Sequence, residues 1–241
     1  MIRAPFVIIW VVLVTIYFSI AAIIVSFIKE GCILPNKVAK AWARCVLFGS
    51  RIKVTVTGLS NIDPFLPYIY MSNHQSAFDI PVLQAHLPVQ FRWLAKAELF
   101  KIPVFGYAIG RAGHISIDRS NRKSAFKSLK NASKNIRNGV SVIIFPEGTR
   151  SLDGNIRQFK KGGFVLAVDA GVPIVPVIIH GIWPIMLRNK ALVKPGNIIV
   201  EIKNPIKTID YTRKTKDHLM EKVRKVISES FEEGKKDKML C

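Results

Sequence analysis

The 241-residue chain carries 36 Lys and Arg against 16 Asp and Glu, a formal charge of +20, and 49% of it is hydrophobic. An apolar fraction near one half excludes a disordered chain, and three scattered cysteines (Cys32, Cys45 and Cys241) exclude a disulfide framework. The length suits one domain, or one domain with an anchor, and the mix of charge and grease suits phospholipid, which is both anionic and apolar, better than nucleic acid, which is only anionic.

Ala4 to Ile28 is a run of 25 residues without a charge, between Arg3 and the pair Lys29-Glu30. As a helix it reaches about 37 Å at 1.5 Å per residue, enough to cross a hydrocarbon core of about 30 Å. A cleaved signal peptide fits poorly, because the run exceeds the usual apolar stretch of about 7–15 residues and only Arg3 precedes it. A buried core helix is the alternative, but few soluble helices are apolar on every face. Pro35 to Ser50 mixes Lys37, Lys40 and Arg44 with Val38, Trp42, Val46, Leu47 and Phe48, the pattern of a second helix lying at a membrane interface. Residues 1–50 are thus expected to form an anchor, spanning or dipping into a bilayer, and residues 51–241 a catalytic domain. Lys29, Lys37, Lys40, Arg44, Arg51 and Lys53 follow the apolar run against Glu30 alone, so the positive-inside rule puts the domain on the cytoplasmic face. A reducing cytoplasm agrees with the sparse cysteines.

Beyond Gly49 the pattern becomes α/β. Ile52–Thr57 alternates like a strand that Gly58 stops. Tyr68–Met71 is a short buried strand ending at Ser72-Asn73-His74, with a helix expected to follow Asp79. Ser120–Asn138 reads as a helix, closed by Asn138-Gly139. Val140–Phe145 is a continuous apolar run, the mark of a strand covered on both faces. A helix at Phe164–Ala170, strands at Ile174–Ile179 and Ile198–Lys203, and an amphipathic helix at Thr215–Phe231 with Gly234 at its end complete the chain. Strands alternating with helices predict an α/β fold, a mostly parallel sheet flanked by helices, with the N-terminal membrane-associated helical segment attached.

The common short catalytic motifs are missing: there is no nucleophile elbow, P-loop, His-Glu-x-x-His or Cys-x-x-Cys. The five histidines are dispersed and no cysteine sits beside one, so a metal site is not expected. Two segments stand out. In Ser72-Asn73-His74-Gln75-Ser76-Ala77-Phe78-Asp79, a histidine at the carboxyl end of a strand is placed to take a proton from a hydroxyl, and the Asp79 carboxylate to hold its other ring nitrogen. On a straight helix five residues leave these side chains about 140° apart, so they meet only if the backbone turns between them. By itself Asp79 equally fits the cap of a helix starting at Ile80-Pro81, and His74 a satisfied loop histidine. In Phe145-Pro146-Glu147-Gly148-Thr149-Arg150, Gly148 permits a tight turn and Arg150 offers a planar fork suited to phosphate. Thr149 adds a hydroxyl, and Glu147 is placed to orient the arginine or meet a glycerol hydroxyl; a structural Glu–Arg pair closing a turn is the alternative.

Together and in this order, the two segments resemble the glycerophosphate and lysophosphatidate acyltransferases of phospholipid synthesis. The family's His-x4-Asp block matches His74–Asp79 and its Glu-Gly-Thr-Arg block Glu147–Arg150. Between them stand Lys96, Leu99, Pro103, Gly106, Gly110 and Ile117-Asp118-Arg119, and after them Val172–Val177. The resemblance implies transfer of a fatty acyl group from acyl-CoA or acyl carrier protein to the sn-2 hydroxyl of 1-acyl-glycerol 3-phosphate, giving phosphatidic acid, with no cofactor beyond the thioester. It implies His74 as base, Asp79 as its partner, and Arg150 with Lys96 and Arg119 on the phosphate. Backbone N–H groups near His74 are expected to stabilise the oxyanion, and a direct displacement is favoured because no cysteine or elbow serine is evident. Glycerol 3-phosphate or another lysophospholipid is the alternative acceptor, and the absence of an extra N-terminal domain favours lysophosphatidate. A membrane-tethered basic protein that binds lipid or nucleic acid without chemistry is the rival outside enzymes, but the basic residues are scattered rather than gathered into a binding module, so nucleic acid is not expected as a partner.

Overall fold

The computed structural model describes residues 3–28, 33–118, 120–186 and 193–239. Two helices open the chain, α1 (Arg3–Ile28) and α2 (Ile33–Gly49), and pack against each other. Their indoles stitch them together: Trp10 Nε1 donates to the Cys45 carbonyl at 3.1 Å and Trp42 Nε1 to Thr15 Oγ1 at 3.0 Å. From Pro5 to Ile28, α1 is long and apolar enough to cross a membrane, and most of its surface faces outward, including Ile9, Leu13, Tyr17 and Ile24. The second helix, α2, carries core as well as surface. Ala43, Val46 and Leu47, at helical spacing, are buried against the sheet, and Lys40 reaches out of the helix to the Leu87 carbonyl at 2.9 Å.

The remaining elements follow as β1 (Ile52–Thr57), β2 (Ile69–Ser72), α3 (Asp79–His86), β3 (Phe91–Lys96), α4 (Phe105–Arg111), β4 (Ile115–Ile117), α5 (Arg122–Arg137), β5 (Ser141–Ile144), α6 (Gly162–Ala170), β6 (Ile174–His180), β7 (Gly196–Ile202) and α7 (Lys216–Met239). They form one seven-stranded sheet in the order β1-β7-β6-β2-β5-β3-β4. Neighbouring strands are parallel except β6 and β7, whose register sets Val177 opposite Ile202 and Ile179 opposite Val200. The predicted mostly parallel α/β sheet is therefore the observed one.

Apolar side chains alternate between two cores. Tyr70, Ile143, Val175 and Val177 face α1, α2 and α3, whereas Ile69, Met71, Ile144 and Ile174 face α5, α6 and α7. Covering both faces explains why β2, β5 and β6 read as unbroken apolar runs. The central strands β2, β5 and β6 all point the same way, so their carboxyl ends gather the loops that follow them at one edge of the sheet.

Three details depart from the sequence reading. β3 and β4 lie within a segment for which no strands were expected, because Arg92 interrupts the apolar pattern of β3 and β4 is only three residues long. Gly234 does not end the last helix. α7 passes through it to Met239, and the glycine lies flush against the His180 ring, where a Cβ would overlap the imidazole. A stop signal in sequence is here a close approach between α7 and β6.

Candidate active site

His74 is held by its neighbours before its own ring makes any contact. Asn73, fully buried, donates Nδ2–H to the Ile179 carbonyl at 3.0 Å and accepts the Ile179 N–H at 2.8 Å, so its amide extends the sheet pairing past the end of β2. The His74 carbonyl accepts the Ser151 N–H at 2.8 Å, and the His74 N–H is given to Glu147 Oε1 at 2.7 Å. Gln75 Nε2 reaches the Gly154 carbonyl at 2.6 Å. The loop after β2 is thereby tied to β6 and to the loop after β5.

Between His74 and Asp79 the backbone turns into the start of α3, and the two side chains meet. Nδ1 of His74 lies 2.7 Å from Oδ2 of Asp79. The same oxygen accepts the N–H groups of Gln75 at 2.7 Å and Ser76 at 2.9 Å. Asp79 is fully buried at 0% exposure, so its charge rests on these three donors. With Nδ1–H given to the carboxylate, Nε2 is the basic nitrogen of the ring. The ring is clamped flat on Phe145, with centroids 3.9 Å apart and planes 8° from parallel, and Trp93 stacks behind Phe145.

Glu147 was expected to face Arg150 or the substrate, but both its oxygens serve the backbone: Oε1 accepts from His74 and Oε2 from the Arg157 N–H at 2.9 Å. Burial pushes its carboxyl up to about 7, against the pull of those two hydrogen bonds and with help from the Asp79 charge. Glu147 is a positioning residue in this structure. Three of the backbone N–H groups near His74 are committed within the protein. The N–H groups of His74, Gln75 and Ser76 are already bound to Glu147 and Asp79, so none of these three is available to a substrate.

An apolar cavity of about 480 Å³ adjoins His74, with Lys96, Gly148, Thr149 and Arg150 in its lining. Phe18 and Ala22 of α1 and Phe105 and Ala108 of α4 supply apolar wall. Gly148 has φ 72°, the left-handed turn expected of it, and its α-carbon faces the Lys160 side chain. Lys96 lines the cavity while its Nζ pairs with Glu98 at 2.7 Å. Arg119, the third expected phosphate ligand, lies outside the described residues. His114 lines the same cavity but is no second base: burial and the Arg92 charge push it down to about 3, and its Nδ1 accepts the Trp93 N–H at 3.2 Å. Among the described residues no group of three or more His, Cys, Asp or Glu side chains is placed to hold a metal.

Asn73, Phe145 and Ser151 were not singled out from sequence. The signal was proximity: Asn73 and Ser151 each directly border one of the two motifs, and Phe145 stands two residues before Glu147.

A histidine–aspartate pair beside an apolar cavity is equipped to deprotonate a hydroxyl for attack on an acyl carbonyl. The profile of the Acyltransferase family matches residues 53–180, and the chain belongs to that family. It is similar to the 1-acyl-sn-glycerol-3-phosphate acyltransferases of Chlamydomonas reinhardtii (33% identity, covering 88% of this chain and 62% of the relative) and Saccharomyces cerevisiae (30% identity, 90% and 72%). Its structure is similar to that of PlsC, the 1-acyl-sn-glycerophosphate (LPA) acyltransferase of Thermotoga maritima (TM-score 0.83, 26% identity, 97% of this chain and 95% of that one). The chain spans 55–62% of the length of the Chlamydomonas relative and of the chloroplastic enzyme of Brassica napus.

Proposed function

We infer that this chain transfers a fatty acyl group from a thioester, acyl-CoA or acyl carrier protein, to the sn-2 hydroxyl of 1-acyl-glycerol 3-phosphate, and releases phosphatidic acid. The observation that carries the reading is the His74–Asp79 pair at 2.7 Å, beside a cavity whose lining is apolar but also holds Lys96 and Arg150. A lysolipid needs both parts, a cation for its phosphate and apolar wall for its chain. The names borne by the curated relatives point to the same acceptor.

In the reaction, Nε2 of His74 takes the proton of the sn-2 hydroxyl as the oxygen attacks the thioester carbonyl. The C–S bond then breaks, and the imidazolium returns its proton to the departing sulfur, so a free thiol leaves with the ester formed. Asp79 stabilises the transient imidazolium and holds the tautomer. General-base help of this kind contributes about 10²–10⁴ in rate. Arg150 and Lys96 hold the phosphate.

Residues 1–50 attach the enzyme to a bilayer through α1, and the domain faces the cytoplasm, on the strength of the apolar 24 residues of α1 and the cations that follow them. The test is purified protein in lipid with lysophosphatidate and a labelled acyl thioester, beside glycerol 3-phosphate and other lysolipids as acceptors. Phosphatidate formed preferentially from lysophosphatidate is expected; labelled product only with another acceptor would overturn the assignment.

A further inference from the structure

α4 is a thin partition. Its Phe105, Ala108 and Ile109 face the catalytic cavity, while Tyr107, Gly110 and Arg111 line a separate open depression of about 400 Å³ on the outside. That outer face is apolar where a water-facing surface has no reason to be: Ile102 is 45%, Val104 42% and Tyr107 53% exposed. Val104 also holds φ 62° with ψ −60°, a tight turn closed by the Phe105 N–H on the Pro103 carbonyl at 2.6 Å. Apolar side chains gathered on the outside call for an apolar phase on that side.

The neighbouring element names the phase. Arg111, on the last turn of α4, donates Nε–H to Ser26 Oγ and Nη2–H to the Ser26 carbonyl, both at 2.9 Å, and its guanidinium lies 4.7 Å over the Phe27 ring. The carboxyl end of the apolar helix α1, with Phe27 and Ile28 about seven-tenths exposed, is thus fastened to this apolar patch. Lys101 borders the patch and matches anionic headgroups.

We propose that the segment from Ile102 to Tyr107 is a second bilayer contact, seated in the headgroup and upper acyl region next to the end of α1, so that the wall of the catalytic cavity is itself in contact with lipid. The proposal rests on the reading that α1 inserts, and adds that the domain docks through α4. The occupant is a phospholipid surface, and its consequence is that a lysolipid enters the cavity beside α4 without crossing water.

The test uses the full chain with its three cysteines replaced by serine and one new cysteine carrying an environment-sensitive fluorophore, in phosphatidylglycerol vesicles containing lipids spin-labelled at the headgroup or mid-chain. Probes go at Tyr107→Cys, at Tyr17→Cys on α1 and at Lys130→Cys on α5. The Tyr107 probe is expected to brighten and be quenched by the shallow label, and the Lys130 probe to behave as in water. A Tyr107 probe that matches Lys130 while Tyr17 reports lipid overturns this proposal alone; if Tyr17 also reports water, the membrane reading fails with it. In parallel, the Ile102→Asp/Tyr107→Asp double variant is expected to lose at least about tenfold in turnover of lysophosphatidate in vesicles, yet stay within about twofold of wild type on a short-chain, water-soluble acceptor. Equal loss on both acceptors, or none on either, overturns it.

Discussion

Oε1 of Glu147 accepts the backbone N–H of His74 at 2.7 Å across 73 residues of sequence. This hydrogen bond joins the two motifs, and its partner bond to the Arg157 N–H carries the tie into the next loop. The residue that begins the Glu-Gly-Thr-Arg block thus fixes the backbone of His74. Arg150, three residues on, lines the cavity beside that base.

Glu147 makes stability depend on pH in a direction opposite to that of an ordinary salt-bridged carboxylate. Its folded value of about 7 lies above the ordinary 4.5, so between these values the folded protein holds more protons than the unfolded chain. Stability therefore falls as pH rises through about 4.5 to 7. Unfolding of purified protein in detergent should show this decline, and Glu147→Gln should flatten it. Glu147→Ala removes the acceptor of two partly buried N–H groups and should destabilise by about 0.5–1.5 kcal/mol for each bond lost.

For the base, His74→Ala should abolish turnover with little change in acceptor binding. Asp79→Asn should keep the loop folded yet reduce kcat by about 10²–10⁴, because a neutral amide no longer stabilises the imidazolium. Steady-state formation of phosphatidate measures both. An Asp79→Asn enzyme with kcat near wild type would mean that the 2.7 Å contact has no part in the chemistry.

Arg150→Ala should raise KM for lysophosphatidate about 10–100-fold, the range expected for losing charge-assisted hydrogen bonds of about 1.5–3 kcal/mol. The decisive comparison is a monoacylglycerol, which lacks the phosphate. Its turnover should be insensitive to the substitution, and equal loss with both acceptors would assign Arg150 to the structure instead.

Gly234→Ala tests the docking of α7. In a helix interior this change ordinarily stabilises by about 0.5–1 kcal/mol. Here the new methyl overlaps the ring of His180, which is buried and 3.2 Å from Glu201, so the sign should reverse. Thermal unfolding decides it: a more stable variant would show that the ring yields without cost.

Much of this molecule was legible in one dimension. Ile52–Thr57 coincides with β1, and the strands expected at Tyr68–Met71, Val140–Phe145 and Ile174–Ile179 fall within one residue of β2, β5 and β6 at each end. Runs like these identify themselves because burial on both faces demands continuous apolar sequence. His74 and Asp79 were recognisable from the motifs that carry the family resemblance, and their contact is local, five residues apart between the loop after β2 and the start of α3.

The sequence by itself determined five of the seven strands and the apolar N-terminal helix, because each depends on residues close together in the chain, and it singled out His74 and Asp79 through the resemblance of ordered motifs. Only the tertiary structure decided what Glu147 does, that Phe145 is the shelf for the His74 ring, and that α1 and α4 wall the cavity. Each of these joins segments tens of residues apart. A carboxylate beside an arginine looks the same in sequence whether it turns to a substrate or to a backbone N–H; here Glu147 is itself buried, and a buried carboxylate needs donors, which the His74 and Arg157 N–H groups supply.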